Sequence, residues 1–549
     1  MRTGLGKRGT SGSKEPKQAG PGVWRPTTSV VGASRLLLLL VLLLAACGRS
    51  APPAGSPAVG EPAADSFDAV RSEIEQLLAG GQVPSMAVAV ARDGEIVWEE
   101  GFGLADCEEK VPATEHTLYP LASISKPFTA TGLMVLVERG LVDLDHPIDD
   151  YLGKARLQAR VGVAAGATVR RVASHTAGLP LHAQHFYDDE AQRPPSMDVT
   201  IERYGNLVTT PGERYQYSNL GYGLLGYAIS RVSGQTYADF MREEVFVPLG
   251  LEGTVVHAGP GLGARQAVKY TPEGLVVPPC DSDSPGASGI YGSAHDLVRF
   301  AMFHLKRTLP GQRAIISQAA IDEMQHPSPE TGPTKDWEGE GSGYGLGWKI
   351  SLMADGLRIV HHDGGTRGVS TVLVLAPEEN LAVAVLSNTR SQWPDLIAIE
   401  ILQSLLPDRL GQLTPAGADS GAGLHFPEQA LTGLWSGLID TYEGEVPLAV
   451  EIGGSGGVHV TLGDEPRTQI LDLSYQGDFP AFMSVGGGPF LRGWFPGELA
   501  TSDVQRGQPC RLWLELTLRD QTLSGSLIAF SQREMPTGPL AHWVALRKH

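Results

Sequence analysis

The pattern of apolar and polar positions divides the chain into distinct stretches. Val70, Ile74, Leu77 and Leu78 recur at helical spacing and predict an amphipathic helix. Runs at Met86–Val90 and Ile96–Trp98 predict strands, and a longer apolar run beginning at Thr129 and reaching Val137 predicts a helix. From Leu141 to about Leu305 the pattern is mainly helical and loop-like. Strand periods return at Gly345–Ile350, Leu357–His361, Thr371–Leu375 and Leu381–Leu386, the last two joined as a hairpin around 376–380. Leu396, Ile399, Leu402 and Leu405 predict a closing helix. Strands from both ends flanking a helical middle predict an α/β fold: a sheet with flanking helices and an all-α subdomain.

Beyond Pro407 a stretch rich in Gly, Ala and Pro reads as a linker over 407–428. From 429 to 549 the pattern changes to short alternating runs at Leu448–Ile452, Val458–Leu462, Leu512–Leu518, Leu523–Phe530 and His542–Leu546, separated by glycine-rich turns. That predicts a C-terminal antiparallel β-barrel or sandwich. Gly453-Gly454-Ser455-Gly456-Gly457 matches the Gly-x-Ser-x-Gly pattern of α/β-hydrolases. A strand-like run follows where that motif needs a helix, so a hairpin turn is expected instead. At the other end, residues 1–47 join a basic leader to an apolar run, Leu36 to Ala46, of eleven residues. The run suits a signal peptide and is shorter than the ~20 residues that span a bilayer. It ends Leu44-Ala45-Ala46-Cys47, which looks like a bacterial lipobox whose cysteine is lipidated. Residues 48–64, rich in Ala, Pro and Gly, predict a flexible tether. This leaves 65–406 for the α/β domain. A chain of 549 residues exceeds what one core serves, in keeping with the division.

Charge narrows the partners. The chain carries 43 basic and 61 acidic residues. The leader holds seven of the former and only Glu15 of the latter, so the remainder has 36 against 60, a net of −24. Such a surface repels phosphate backbones, and nucleic acid is not expected as a partner. After Cys47 only Cys107, Cys280 and Cys510 remain, at spacings that fit no metal motif. Three cysteines cannot all pair, so no disulfide framework is expected, although one bridge is allowed.

Candidate chemistry enters at Leu121-Ala122-Ser123-Ile124-Ser125-Lys126, where a loop turns into the apolar helix. Ser123 and Lys126 are one turn apart on the same face. A serine hydroxyl needs a base within hydrogen-bond reach. A lysine supplies one once burial or a nearby cation lowers its pKa from ~10.4. The helix N-terminus adds N–H groups where an oxyanion would form. Downstream, Tyr215-Gln216-Tyr217-Ser218-Asn219 offers a phenol for proton relay and an amide with a donor and an acceptor. His361-His362-Asp363-Gly364-Gly365-Thr366 ends a strand-like run.

Together these stretches resemble the serine β-lactamase-like superfamily, in its branch of class C β-lactamases, D-stereospecific peptidases and related esterases. Ser123 and Lys126 match its Ser-x-x-Lys motif. Ser174-His175-Thr176-Ala177-Gly178-Leu179-Pro180, Tyr344-Gly345-Leu346-Gly347-Trp348 and the run Leu381 to Asn388 are similar too, and the resemblance spans about Asp65 to about Leu406. It implies the same α/β fold, Ser123 as nucleophile, and Lys126 and Tyr217 handling its proton, with the resting base left open between them. It also implies an oxyanion hole from the backbone N–H groups of Ser123 and Gly365, next to Gly364. Asn219 and His362 would orient substrate. His362 stands where many relatives carry the lysine of Lys-Thr-Gly. Lysine is charged throughout the neutral range, whereas a histidine near ~6.5 titrates within it. If charged His362 holds a substrate carboxylate, affinity falls as pH rises from 6 to 8. An efficient β-lactamase is not expected.

His175, His182 and His185, with Asp188 and Asp189, lack metal-site spacing and are read as a loop at the mouth of the site. Ser293-Ala294-His295-Asp296 reads as a helix cap. The whole describes an exported serine hydrolase that forms an acyl-enzyme on D-amino-acid peptides or amides, carboxylic esters and, poorly, β-lactams. It needs no cofactor or metal. Its partners are a small-molecule or peptide substrate and, through lipid on Cys47, the bacterial cell envelope; the oligomeric state stays open. The alternative is an acylating but non-turnover ligand-binding or sensor protein, marked by a stoichiometric burst without steady turnover. For export, Cys47→Ser is expected to block incorporation of labelled palmitate and processing at this position. Normal palmitate labelling of that variant would remove the lipobox reading.

Overall fold

The computed structural model describes residues 67–549 apart from 257–264, 332–341, 354, 411–426, 476–488 and 534–535. The signal peptide, the tether, Cys47 and most of the 407–428 linker lie outside the described residues. An antiparallel eight-stranded sheet draws on both ends of the first domain. Its order is Gly343–Tyr344, Lys349–Leu352, Arg358–Thr366, Val369–Ala376, Leu381–Ser387, Ser85–Arg92, Glu95–Asp106 and Val111–Pro112. Ser85–Arg92 pairs with Leu381–Ser387 from Met86 opposite Ser387 to Arg92 opposite Leu381. Both its faces are covered, so it is apolar throughout and alternates by size instead. Met86, Val88 and Val90 pack with the terminal helices Asp68–Ala79 and Trp393–Leu405, while Ala87, Ala89 and Ala91 belong to the core shared with the interior helices. The small methyl groups let helix Ala294–His304 lie close on the sheet.

Helix Asp68–Ala79 buries Val70, Ile74 and Leu77. Trp393–Leu405 is helical as expected, but its buried stripe runs through Ile397, Ala398, Ile401 and Leu402 rather than Leu396, Ile399 and Leu405. The segment is apolar nearly all round, so periodicity alone does not choose its inner face. Gly345–Ile350, expected as one strand, is instead a turn and the start of a second strand. The N–H of Gly345 donates to the carbonyl of Trp348 at 2.8 Å, and Gly347 takes φ +84°, which favours glycine. Helix Ser125–Glu138 is buried on every side from Ser125 to Leu136, with Phe128 stacked 3.7 Å from Phe300. It is the axis of the helical layer. Ser293 caps helix Ala294–His304 by accepting from the Asp296 N–H at 3.1 Å. The Asp296 carboxylate turns instead to Gly253 and Thr254.

The C-terminal region is a nine-stranded antiparallel sheet, nearly closed into a barrel. Its order is Thr468–Gln469, Val458–Leu462, Gly444–Ile452, Gly433–Thr441, Pro539–Lys548, Thr522–Ser531, Cys510–Arg519, Phe490–Pro496 and Leu471–Ser474. The two edge strands are consecutive in the chain, which draws the edges together. Gly453–Gly457 is the hairpin turn expected, closed by the Gly453 N–H on the Gly457 carbonyl at 2.8 Å. The barrel seats on the first domain. The N–H groups of Ala183 and His185 donate to the carbonyls of Pro539 and Thr537 at 3.0 and 2.9 Å. Tyr204 donates to Asp503 at 2.7 Å, and Glu213 pairs with Arg519 at 2.7 Å. Cys107, Cys280 and Cys510 are free thiols.

Several histidines are buried without charge. Burial pushes His304 down to about 3 and His542 to about 4, and holds His175 well below its usual value. An unfolded histidine near ~6.5 binds a proton that these do not, so stability rises with pH between those values and is lost as pH falls from about 6.5 towards 4. His295, raised by its hydrogen bond to Glu99, and Asp395, pushed up to about 6 by burial, work the other way, but His185 and His362, pushed down to about 4 and about 3, add to the loss. At pH 5 the loss is about 2 kcal/mol for each of His304 and His542. The urea midpoint, measured at fixed salt, is expected to fall clearly from pH 7 to pH 5. An unchanged midpoint would contradict neutral burial.

Candidate active site

Ser123 sits in a single turn of 3-10 helix, Ala122–Ile124, that leads directly into helix Ser125–Glu138. The turn is held from outside. Leu121 donates its N–H to the Ile290 carbonyl at 2.8 Å, the Ile290 N–H donates to Ser125 Oγ at 3.1 Å, and Thr371 Oγ1 donates to the Leu121 carbonyl at 3.1 Å. Ala122, at φ +48°, is in the left-handed region that residues with a Cβ rarely adopt. This strain beside Ser123 is sustained by the clamps around it.

Lys126 lies beneath Ser123, fully buried. Its Nζ is 3.1 Å from Ser123 Oγ, 2.8 Å from Asn219 Oδ1 and 3.1 Å from the Ala287 carbonyl oxygen. Burial holds the amine well below the usual lysine value; Asp363 opposes this and Lys349 adds to it. Tyr217 donates its hydroxyl hydrogen to Ser123 Oγ at 3.0 Å. Burial raises the phenol above its ordinary value, against the Ser123 hydrogen bond. The Lys126 amine also lies 4.7 Å from the Tyr217 ring centre. Asn219 opens helix Asn219–Ser233, whose cap is Ser218 accepting from the Gly221 N–H at 3.1 Å. Its Oδ1 accepts from Lys126 Nζ at 2.8 Å.

Strand Arg358–Thr366 completes the arrangement. Its outer neighbour Lys349–Leu352 pairs only as far as His361, whereas on the inner side Val369–Ala376 pairs through to Thr366. Residues 362–366 therefore have a strand neighbour on one side only, and the strand closes on the Ser123 turn. A Cβ on Gly364 would fall 2.2 Å from the Leu121 carbonyl oxygen, so no larger residue allows this approach. At Gly365 a Cβ would fall 1.8 Å from Arg390 Nη1.

His362 departs from expectation. Its ring is buried at 1% exposure. Nδ1 is 2.7 Å from the Asp363 carbonyl oxygen and so donates to it; Nε2 accepts from the Tyr344 hydroxyl at 3.0 Å. Burial pushes the imidazole down to about 3, with Asp363 opposing and Lys349 and Lys126 assisting. It does not titrate between pH 6 and 8 and is not a charged carboxylate receptor. It is a neutral group that ties the strand to Tyr344. His175 is not at the mouth of the site either. It is buried, with Nδ1 accepting from the Ser218 N–H at 3.1 Å and its ring 4.3 Å from that of Tyr217. His182 is buried against Asp283 at 2.9 Å, near the barrel. Residue-by-residue reading placed His175 at the mouth and missed the roles of Tyr344 and the Ala287 carbonyl. Tyr344 falls in a stretch noted only as family-like, and a backbone oxygen leaves no signal in sequence.

A serine held between an amine and a phenol, at the foot of a buried helix and beside a sheet edge, defines a serine acyl-transfer site. The comparisons place it further: the Beta-lactamase family model matches residues 70–403, and the chain belongs to that family. The chain is 30% identical over 317 residues to Penicillin-binding protein 4* of Bacillus subtilis (strain 168), spanning 55% of this chain and 67% of that protein. It is 28% identical to an unguisins hydrolase of Aspergillus campestris, over 60% of this chain and 62% of that one. The solved structure of SurE in complex with D-Leu covers 88% of this chain and all of its own, at TM-score 0.57 and 26% identity. That coverage exceeds the family match and takes in the C-terminal barrel.

Because His362 stays neutral, kcat/KM for a carboxylate-bearing substrate relative to a matched neutral one is expected to change less than about twofold from pH 6 to 8. A tenfold fall across that range, abolished in His362→Lys, would restore the charged imidazole.

Proposed function

We propose an exported serine hydrolase that works through an acyl-enzyme on D-amino-acid peptides or amides and carboxylic esters, with poor action on β-lactams. One observation carries the chemistry: Ser123 Oγ lies within 3.1 Å of a buried Lys126 amine and 3.0 Å of the Tyr217 hydroxyl. As a neutral amine, Lys126 donates its two hydrogens to Asn219 Oδ1 and the Ala287 carbonyl, and its lone pair accepts from Ser123. Lys126 is thus the resting base, since burial favours its neutral form and equally opposes a phenolate at Tyr217. Ser123 attacks the carbonyl and passes its proton to Lys126. Tyr217 donates to the leaving group and is reprotonated through Lys126; water then reverses the path and releases the acid. Backbone N–H groups of Ser123 and Gly365 are assigned to the oxyanion, and the Asn219 amide to the substrate carbonyl.

The D-amino-acid preference rests on likeness to SurE in its D-Leu complex and to penicillin-binding relatives. Poor β-lactam action follows from a neutral His362 where a lysine cation is absent. Export and lipid anchoring at the cell envelope rest on the leader and Cys47.

Ser123→Ala is expected to abolish turnover of D-aminoacyl anilides and nitrophenyl esters, along with labelling by a fluorophosphonate. Ser125→Ala should keep both, losing about 1–2 kcal/mol of stability because the buried Ile290 N–H loses its acceptor. Labelling that survives Ser123→Ala and vanishes in Ser455→Ala would overturn the assignment.

A further inference from the structure

The short helix Val169–Ala173 closes on a residue to which the chemistry above gives no part. His175, two positions beyond its end, takes φ +59°. The His175 N–H donates to the Val172 carbonyl at 3.3 Å, and the Thr176 N–H reaches back to the Arg171 carbonyl at 2.8 Å. This left-handed turn closes many helices, and glycine is its usual occupant because a Cβ is strained there. Histidine is among the few other residues that enter this region. Only the imidazole distinguishes it from glycine, so the strain is to be read from what the imidazole reaches.

It reaches the stretch that carries Tyr217 and Asn219. The His175 carbonyl accepts the Gln216 N–H at 2.7 Å, and Nδ1 accepts the Ser218 N–H at 3.1 Å. The residues on either side of Tyr217 are thus fastened to one histidine, whose ring centre lies 4.3 Å from that of Tyr217. Because Nδ1 accepts, the ring proton sits on Nε2. That nitrogen is buried and has no hydrogen-bond partner among the described residues, so the ring has no route along which to pass a proton. Burial keeps the imidazole neutral and Nδ1 an acceptor. The group aimed by this clasp is the Tyr217 hydroxyl, 3.0 Å from Ser123 Oγ. We propose that His175 is a positioning residue: its Nδ1 fixes the Ser218 backbone and so holds Tyr217 where the phenol protonates the leaving group. This rests on the serine-hydrolase reading above.

Two substrates with the same acyl group separate this role from a general loss of structure. D-leucine 4-nitroanilide needs its leaving nitrogen protonated, whereas the 4-nitrophenolate of D-leucine 4-nitrophenyl ester departs as a stable anion. His175→Gly relieves the backbone and removes the acceptor. Its kcat/KM is expected to fall about 10- to 100-fold on the anilide and less than about threefold on the ester. His175→Asn is expected to recover most of the anilide activity, since Asn tolerates the left-handed region and its Oδ1 is as many bonds from Cα as Nδ1 is. His175→Gln fills the space but offers no acceptor at that place; it should match the glycine variant, and it replaces that variant should the cavity prevent folding. In a Tyr217→Phe background the further loss from His175→Gly should vanish, because the group being positioned is gone. A second measurement needs no turnover: hydrogen exchange at the Ser218 amide, followed by mass spectrometry of peptides spanning 215–219. Exchange is expected to quicken several-fold in His175→Gly and to slow again in His175→Asn. An equal loss on both substrates, no recovery in His175→Asn, or unchanged exchange overturns the clasp. A wild type that cleaves neither substrate, with exchange still set by the side chain at 175, overturns the hydrolase reading and leaves the clasp standing.

Discussion

The structure turns on keeping one amine dry. Lys126 has no contact with solvent, and its three polar neighbours come from three separate parts of the chain: Ser123 one turn away, Asn219 at the start of another helix, and Ala287 in the short helix Pro285–Ser288. Burying an amine is tolerable only where each hydrogen and the lone pair find partners. That requirement makes the surrounding helical layer rigid. It also lowers the amine's basicity, so that Lys126 rests uncharged with its lone pair free to take a proton.

The same demand for dryness spreads outward. His175, Tyr215, Tyr217, Tyr222 and Tyr344 form an aromatic wall around the amine, with His175 within 6 Å, ring centre to ring centre, of each of the four tyrosines. His362 closes that wall by hydrogen bonding Tyr344. Its neutrality is a consequence of this packing. The barrel belongs to the same arrangement. Glu213 and Arg214, which meet Arg519 and Thr517 of the barrel, lie four and three residues before Tyr217. The C-terminal region therefore braces the loop that presents the phenol.

Glycine does in the sheet what burial does in the helices. The strand ending at Thr366 approaches the Ser123 turn only because Gly364 has no side chain to meet the Leu121 carbonyl. Positive φ at Ala122 then aims Ser123 at that edge. Close backbone approach and local strain are both held by tertiary hydrogen bonds from Thr371 and Ile290.

The sequence by itself determined the layered α/β class, the placing of Ser123 and Lys126 one turn apart at a helix start, and the run of C-terminal strands. Helical and strand periods, and the spacing of Ser123, Lys126, Tyr217 and Asn219, are local properties that survive without a fold. Where the local signal was ambiguous the reading stopped short. The inner face of Trp393–Leu405 is invisible in a segment apolar on every side, and the turn at Gly347 interrupts what reads as one strand. Tertiary structure alone decided the protonation of His362 and His175, because a pKa depends on burial and neighbours rather than on residue type. It alone supplied the Ala287 carbonyl, which any residue carries, and curled nine strands into a nearly closed barrel rather than a sandwich by bringing the edge strands together. It alone set Lys269 beside Cys280, whose strands belong to different sheets.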